Sequence, residues 1–239
     1  MTRCYLRAKP FHAISFDLDD TLYDNGPIIS AAEQALLEFL QINYPLSVSW
    51  QRADWLKLKT ELLSCYPELT HDTTAARLVM LEQGLMRLGY SREESERGAV
   101  AGLECFLHKR SDFEVLPSVI NQLEFLATKY PLIGITNGNV DAQKIGLGHV
   151  LQFVLHPGEG TRMKPYPDMF YSACRKLDIP LHCLLHVGDS QASDVQGSRL
   201  AGCQSAWLNP RFGGNKSALS NELLPHMEIS SLGDLVSAF

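Results

Sequence analysis

The spacing of apolar residues changes character along this 239-residue chain, and the changes mark out its elements. His12 to Asp17 is a short aromatic and β-branched run that ends in acid and is expected to be a strand. From Gly26 to Arg110 there is no strand signal; four segments with helical spacing take its place. The first, from about Ser30, repeats Ala32, Leu36, Phe39 and Leu40, and the second sets Trp55, Leu58 and Leu62 on one face. The third uses Leu78, Leu81, Leu85 and Leu88; the fourth opens with Ser91 and Glu94 in capping-box spacing and continues through Val100, Leu103 and Leu107. These predict a small helical bundle.

Beyond Leu116 helix and strand alternate. Helices are expected at Pro117 to Lys129, Asp168 to Leu177 and Ser193 to Ala201, the last stopped by Gly202. Strands are expected at Leu132 to Thr136, Leu151 to Leu155, Cys183 to Val187 and Gln204 to Leu208. Such alternation predicts an α/β fold, a Rossmann-like doubly wound parallel sheet whose ligands bind beyond the carboxyl ends of the strands. With no repeat, low-complexity tract or linker, the helical stretch must be an insertion: residues 1–24 and 111–239 form the α/β core and residues 25–110 an all-α unit within it.

Composition narrows the function. A hydrophobic content of 45% with 20% charged residues and a mean hydropathy of −0.08 is that of an ordinary globular protein. No apolar run is long enough to span a membrane and no apolar segment succeeds the basic start, so a cytoplasmic location is expected. A net charge of −6 argues against a broad grip on nucleic acid or an anionic membrane, and no obligate protein partner is evident. The six cysteines form no C-x-x-C pair and are expected to be reduced core thiols.

The residues just past each strand carry the candidate chemistry. After the first strand comes Asp17-Leu18-Asp19-Asp20-Thr21, where alternation aims Asp17 and Asp19 the same way, a costly arrangement without a cation or shared proton. Alone it is equally a solvated acidic turn. It is not an EF-hand loop, because Leu22 and Ile28 occupy the glycine and glutamate positions. After the second comes Thr136-Asn137-Gly138-Asn139, either a hairpin turn or a neutral anion cradle. Lys164, held extended by Pro165, is a loop lysine that is ordinarily solvated. His186-Val187-Gly188-Asp189 sets an acid at the end of a central strand, with Asp194 opening the next helix.

Taken in order, these motifs resemble the haloacid dehalogenase-like superfamily over essentially the whole chain. Asp17-x-Asp19-x-Thr21 matches its first motif, Thr136 the second, Lys164 the third, and Gly188-Asp189 with Asp194 the fourth. The resemblance implies a phosphomonoester hydrolase acting on a small molecule, with the insertion as a helical cap. Asp17 would attack phosphorus to give an aspartyl-phosphate, and Asp19 would act as acid and then base. Mg²⁺ would be held by Asp17, the Asp19 backbone carbonyl and Asp189, with Asp194 orienting its waters. Thr136, the Asn137 N–H and Lys164 would stabilise the phosphoryl oxygens.

Within the superfamily Asp19 favours a phosphatase over a dehalogenase. The phosphonatase alternative needs a cap lysine, and Lys57 and Lys59 stand in no recognisable context for one. Tyr23, Trp50, Trp55, Tyr66, His71 and Arg77 are candidates to touch the leaving group, although helically spaced aromatics are more often core. Asp17 to Asn25, Ile135 to Asn139 and Leu224 to Ser230 also resemble a bacterial branch associated with flavin mononucleotide (FMN) and the phosphorylated ribitylamino-uracil of riboflavin synthesis. A broad sugar-phosphate or nucleotide phosphatase, or a non-catalytic binding protein on the same fold, are the alternatives.

Overall fold

The computed structural model describes residues 1–209 and 223–238. Its sheet has seven strands: β1 (Thr2–Cys4), β2 (Ala13–Phe16), β3 (Leu132–Ile135), β4 (Val154–Leu155), β5 (Leu184–Gly188), β6 (Gln204–Leu208) and β7 (Met227–Ile229). They lie in the order β1-β7-β6-β5-β2-β3-β4, all pairs parallel except β1 with β7. β2 is central. The chain leaves it toward β3 and β4 and returns on its other side as β5, so the crevice of this doubly wound α/β fold opens at the carboxyl end of β2.

Alternation along the strands divides the core between two faces. Ile14 and Phe16 with Leu132, Leu185 and Val187 meet Leu123 and Leu126 of α5 (Pro117–Ala127) and Leu235 of α8 (Leu232–Ala238). Ala13, Ile133, Ile135 and Leu184 meet Met169, Phe170 and Ala173 of α6 (Asp168–Leu177) and Ala201 of α7 (Gly197–Ala201). Ser15 and His186 lie on this second face, paired through Ser15 Oγ and His186 Nδ1 at 2.9 Å.

Between β2 and α5 stand α1 (Asn25–Asn43), α2 (Arg52–Cys65), α3 (Thr73–Leu88) and α4 (Arg92–Arg110). Their apolar stripes close on one another into a separate core that includes Leu36, Leu40, Trp55, Leu81, Leu85 and Phe106. Asp24 caps α1, Asp72 caps α3, and the Ser91–Glu94 capping box opens α4. None of the described helices is long and apolar enough to cross a membrane.

The expected elements differ from the observed ones in places. The strand expected at Leu151 to Leu155 shrinks to Val154–Leu155, because Val150 and Leu151 turn back to bond Leu147 O and join the core. The helix expected from Ser193 begins instead as a π-helical turn, Gln191–Gln196, before α7. β1, β7 and α8 were not anticipated. Nor are all the cysteines core thiols: Cys174, Cys183 and Cys203 are buried, but Cys4 and Cys65 are exposed and Cys105 lies between.

Candidate active site

Asp17 is the first residue past β2, and its N–H bonds Val187 O at 2.8 Å, which ties the ends of β2 and β5 together. Thr136 comes directly after β3, and Asp189 directly after β5. Each is carried by a buried strand, so the site inherits the rigidity of the sheet centre. Gly188 is required there: a Cβ on it would lie 2.3 Å from Cγ of Asp194.

Lys164 reaches the site from the loop before α6. The Asn137 side chain clamps that loop, accepting from the Lys164 N–H at 2.7 Å and donating to its carbonyl at 2.9 Å. The ammonium, 2% exposed, donates to Asp17 Oδ1 at 2.7 Å, Ile135 O at 2.6 Å and Asp194 Oδ1 at 2.6 Å. All three donors are therefore committed to the protein. Lys164 is a buried counter-charge here, and a direct bond to a substrate oxygen would require it to release one acceptor.

Asp194 is saturated as well. Oδ1 also meets His186 Nε2 at 3.0 Å, and Oδ2 accepts from the Ser190 N–H at 2.9 Å. A relay thus runs Ser15–His186–Asp194–Lys164–Asp17. An acceptor-only carboxylate at Nε2 assigns the neutral imidazole its proton there. Neither Ser15 nor His186 was marked by the sequence; a polar pair in two otherwise apolar central strands is the signal that could have found them.

The acidic loop after β2 is a tight turn in which Asp17 is buried, Asp19 half-buried and Asp20 exposed. Asp20 adopts a left-handed φ of 59°, which aspartate tolerates, and its N–H bonds Tyr23 O at 2.8 Å. Thr21 Oγ1 donates to Asp189 Oδ1 at 3.2 Å and accepts from the Asp189 N–H at 3.1 Å, so it locks the acid on β5. Asp19 has partners of its own: Oδ1 accepts from Tyr23 OH at 2.6 Å and from Arg110 Nη2. The Asn-Gly after β3 forms no hairpin; Thr136 Oγ1 accepts from the Gly138 N–H at 3.0 Å, which leaves its own proton free to donate.

Burial dominates the electrostatics. It pushes the Asp17 carboxyl up to about 8, against the opposing pull of Lys164. For Lys164 burial alone would depress the ammonium, but Asp17 and Asp194 outweigh it and keep it charged. Burial would likewise raise Asp194, yet Lys164 and His186 hold it far below the usual carboxylate range. Asp189 is raised, by burial and then by Asp194. His186 is lowered by burial and stays neutral.

Asp17, Asp189 and Asp194 each offer a carboxylate oxygen within 4.8 Å of the others. Three clustered carboxylates, two of them paired with one ammonium, offer hard oxygen donors that fit a divalent hard cation.

The leaving-group candidates separate. Tyr23 spends its hydroxyl on Asp19. Trp50 and Trp55 stack edge to face at 5.0 Å and belong to the bundle core. Tyr66 is exposed, and His71 packs against Tyr166 with ring centroids 4.8 Å apart. Arg77 lies over the Phe106 ring at 3.6 Å, beside a cavity of about 100 Å³ that Glu33, Arg52 and Lys59 also line. Lys57 is exposed.

The sheet order, the acids at the strand ends and the buried lysine define a hydrolase of the haloacid dehalogenase-like class, whose family profile matches residues 11–202. The chain belongs to that family, and it is an enzyme of the phosphatase class. It is 40% identical, over 98% of its length and 99% of the relative's, to the 5-amino-6-(5-phospho-D-ribitylamino)uracil phosphatase YigB of Escherichia coli K12. It is 26% identical to the N-acylneuraminate-9-phosphatase of Rattus norvegicus, over 93% of this chain and 91% of that one. A crystal structure of a 2-haloacid dehalogenase from Pseudomonas syringae pv. Tomato DC3000 superposes with a TM-score of 0.87 at 33% identity, covering 95% of this chain and 98% of its own.

Proposed function

We propose that this enzyme hydrolyses phosphomonoesters through an aspartyl-phosphate on Asp17, with Mg²⁺ as cofactor and residues 25–110 as a cap over the site. The observation that carries the reading is Asp17 itself, a buried carboxylate at the switch point of the sheet with Lys164 on one oxygen. Asp17, Asp189 and the Asp19 backbone carbonyl would hold the metal, and Asp194 would act from behind through Lys164. When bound, the dication neutralises phosphoryl oxygens and favours the ionised form of Asp17.

In the first step Asp17 donates an electron pair to phosphorus. The bond to the leaving oxygen breaks, and that oxygen takes a proton from Asp19. In the second, Asp19 receives a proton from water, whose oxygen displaces Asp17 and releases phosphate. The Thr136 hydroxyl, whose oxygen already accepts from the Gly138 N–H and whose proton is free, and the Asn137 N–H would stabilise the transferring oxygens.

The substrates we favour are FMN and the phosphorylated ribitylamino-uracil of riboflavin synthesis, the second supported by the name of the 40% identical relative. Broad sugar-phosphate or nucleotide hydrolysis is the alternative. Dehalogenation is a second reading, favoured by the 33% identical structure. Steady-state kcat/KM across FMN, the ribitylamino-uracil phosphate, nucleoside monophosphates, sugar phosphates and 2-chloropropionate tests all three. A preference of about tenfold or more for the flavin-type esters is expected. A flat phosphate profile removes the flavin assignment, and halide release without phosphate release removes the phosphatase mechanism. Chelation of Mg²⁺ should abolish phosphate release, and Asp17→Asn should lower it on the order of 10⁴-fold.

A further inference from the structure

The last residue of α4, Arg110, is 1% exposed, a buried cation that pairs with Asp19 while Lys164 pairs with Asp17 and Asp194. Its Nη2 donates to Oδ1 of Asp19, and Tyr23 OH reaches the same oxygen at 2.6 Å. Both donors approach one oxygen of that carboxylate. The other, Oδ2, is differently placed: a Cβ built on Gly138 would stand 2.5 Å from Asp19 Oδ2 and 3.4 Å from Thr136 Oγ1. Oδ2 therefore looks onto the Thr136–Gly138 cradle, on the side from which a phosphoryl group is held.

Structural stabilisation is a poor account of Arg110. Its Nη1 is buried with no acceptor among the described residues, and an orphaned charged donor of this kind is a net cost. Phe106, one turn earlier, shows that an apolar side chain is accommodated on the same stripe of α4.

The geometry points to Arg110, assisted by Tyr23, as the positioning residue that fixes the two oxygens of Asp19 in different roles. Oδ1 is anchored, and Oδ2 is the atom that exchanges the proton with the leaving group. As the bond from phosphorus to the leaving oxygen breaks and its electron pair moves to that oxygen, the proton passes from Oδ2. In the second step water returns a proton to the same atom. Because Arg110 belongs to the helical segment, this segment orients the acid of the core as well as covering it. The inference rests on the proposed aspartyl-phosphate route with Asp19 as acid.

The test compares kcat/KM, which reports events through phosphoryl transfer to Asp17, for an alkyl phosphate such as FMN and for p-nitrophenyl phosphate, whose leaving group departs without a proton. Arg110→Ala is expected to lose about 100-fold on the alkyl ester and under about threefold on the aryl ester. Guanidinium in the buffer should restore part of the alkyl activity. Arg110→Met, which keeps the volume, should show the same selectivity, and Tyr23→Phe a smaller version of it, so a misfolded alanine variant leaves the idea exposed to refutation. Equal losses on both esters in the folded variants would overturn the positioning role. Asp19→Asn is the control for the underlying reading: if it too loses both esters equally, Asp19 is not the acid and the role of Arg110 falls with it, whereas a selective loss in Asp19→Asn beside equal losses in the Arg110 variants overturns the positioning role alone.

Discussion

Lys164 is the side chain on which the charge balance of the site depends. Its ammonium touches two carboxylates and a carbonyl, and each of those acceptors is buried. Removing one partner of such a cluster strands the rest, which costs more than the intact cluster contributes. Lys164→Met should therefore lower the unfolding free energy by roughly 3–5 kcal/mol in urea titrations. Adding Asp194→Asn to that variant should restore part of the loss, since one stranded charge is gone; strict additivity would show that the two do not interact. At this scale the sequence was informative where chemistry sits just past a strand. Asp17, Asp19, Thr136, Lys164 and Asp189 all come together on strand ends or their loops. Arg110 was missed because three basic residues close α4, a pattern that ordinarily answers the helix dipole in solvent. The cue was its register: Ala99, Phe106 and Arg110 share the buried face, so the charge continues an apolar stripe.

Elements were legible in proportion to how locally they are determined. The four bundle helices carry their caps and stripes in their own residues, and all four are present. β1 and β7 are three residues each and exist because they pair across the length of the chain, Thr2 with Ile229 and Cys4 with Met227, which no local period reveals. The turn at Gln191–Gln196 is wound wide where the Val195 N–H reaches back to Ser190 O, five residues away, in the segment that delivers Asp194 to the site. At the sheet edge, His226 joins β6 to the start of β7, with Nδ1 accepting from the Ser205 N–H at 3.1 Å. Burial, then Arg199 and Lys9, hold it down at about 4. An unfolded imidazole titrates near 6.5, so between these values the unfolded chain binds a proton that the folded chain does not. The contribution of His226 is complete above about pH 6.5 and is lost as pH falls toward 4. In urea titrations the unfolding free energy should fall from about pH 7 to about pH 5 by about 2 kcal/mol less in His226→Asn than in the wild type.

Among the described residues one apolar core lies in the helical segment and two lie on the sheet faces. The contacts between the segment and the core include Asn25 N–H to Asp20 Oδ1 at 2.9 Å, Thr73 Oγ1 to Asn137 O at 3.3 Å, Asn139 Nδ2 to Thr74 Oγ1 at 3.1 Å, the His71–Tyr166 rings and Arg110 on Asp19. Polar contacts of this kind hold a position without making two cores one cooperative unit. Leu81 is fully buried in the helical core alone. Leu81→Ala should cost that core about 2–5 kcal/mol while leaving the sheet intact. Hydrogen exchange separates the cases: amides of α3 and α4 should exchange faster while those of β2 and β5 keep their wild-type protection. If the strand amides accelerate equally, the chain opens as one unit, and the helical segment cannot move over the site independently of it. If they do not, a segment that loosens on its own also carries Arg110 off Asp19, so Leu81→Ala should reproduce, more weakly, the selective loss on alkyl phosphates.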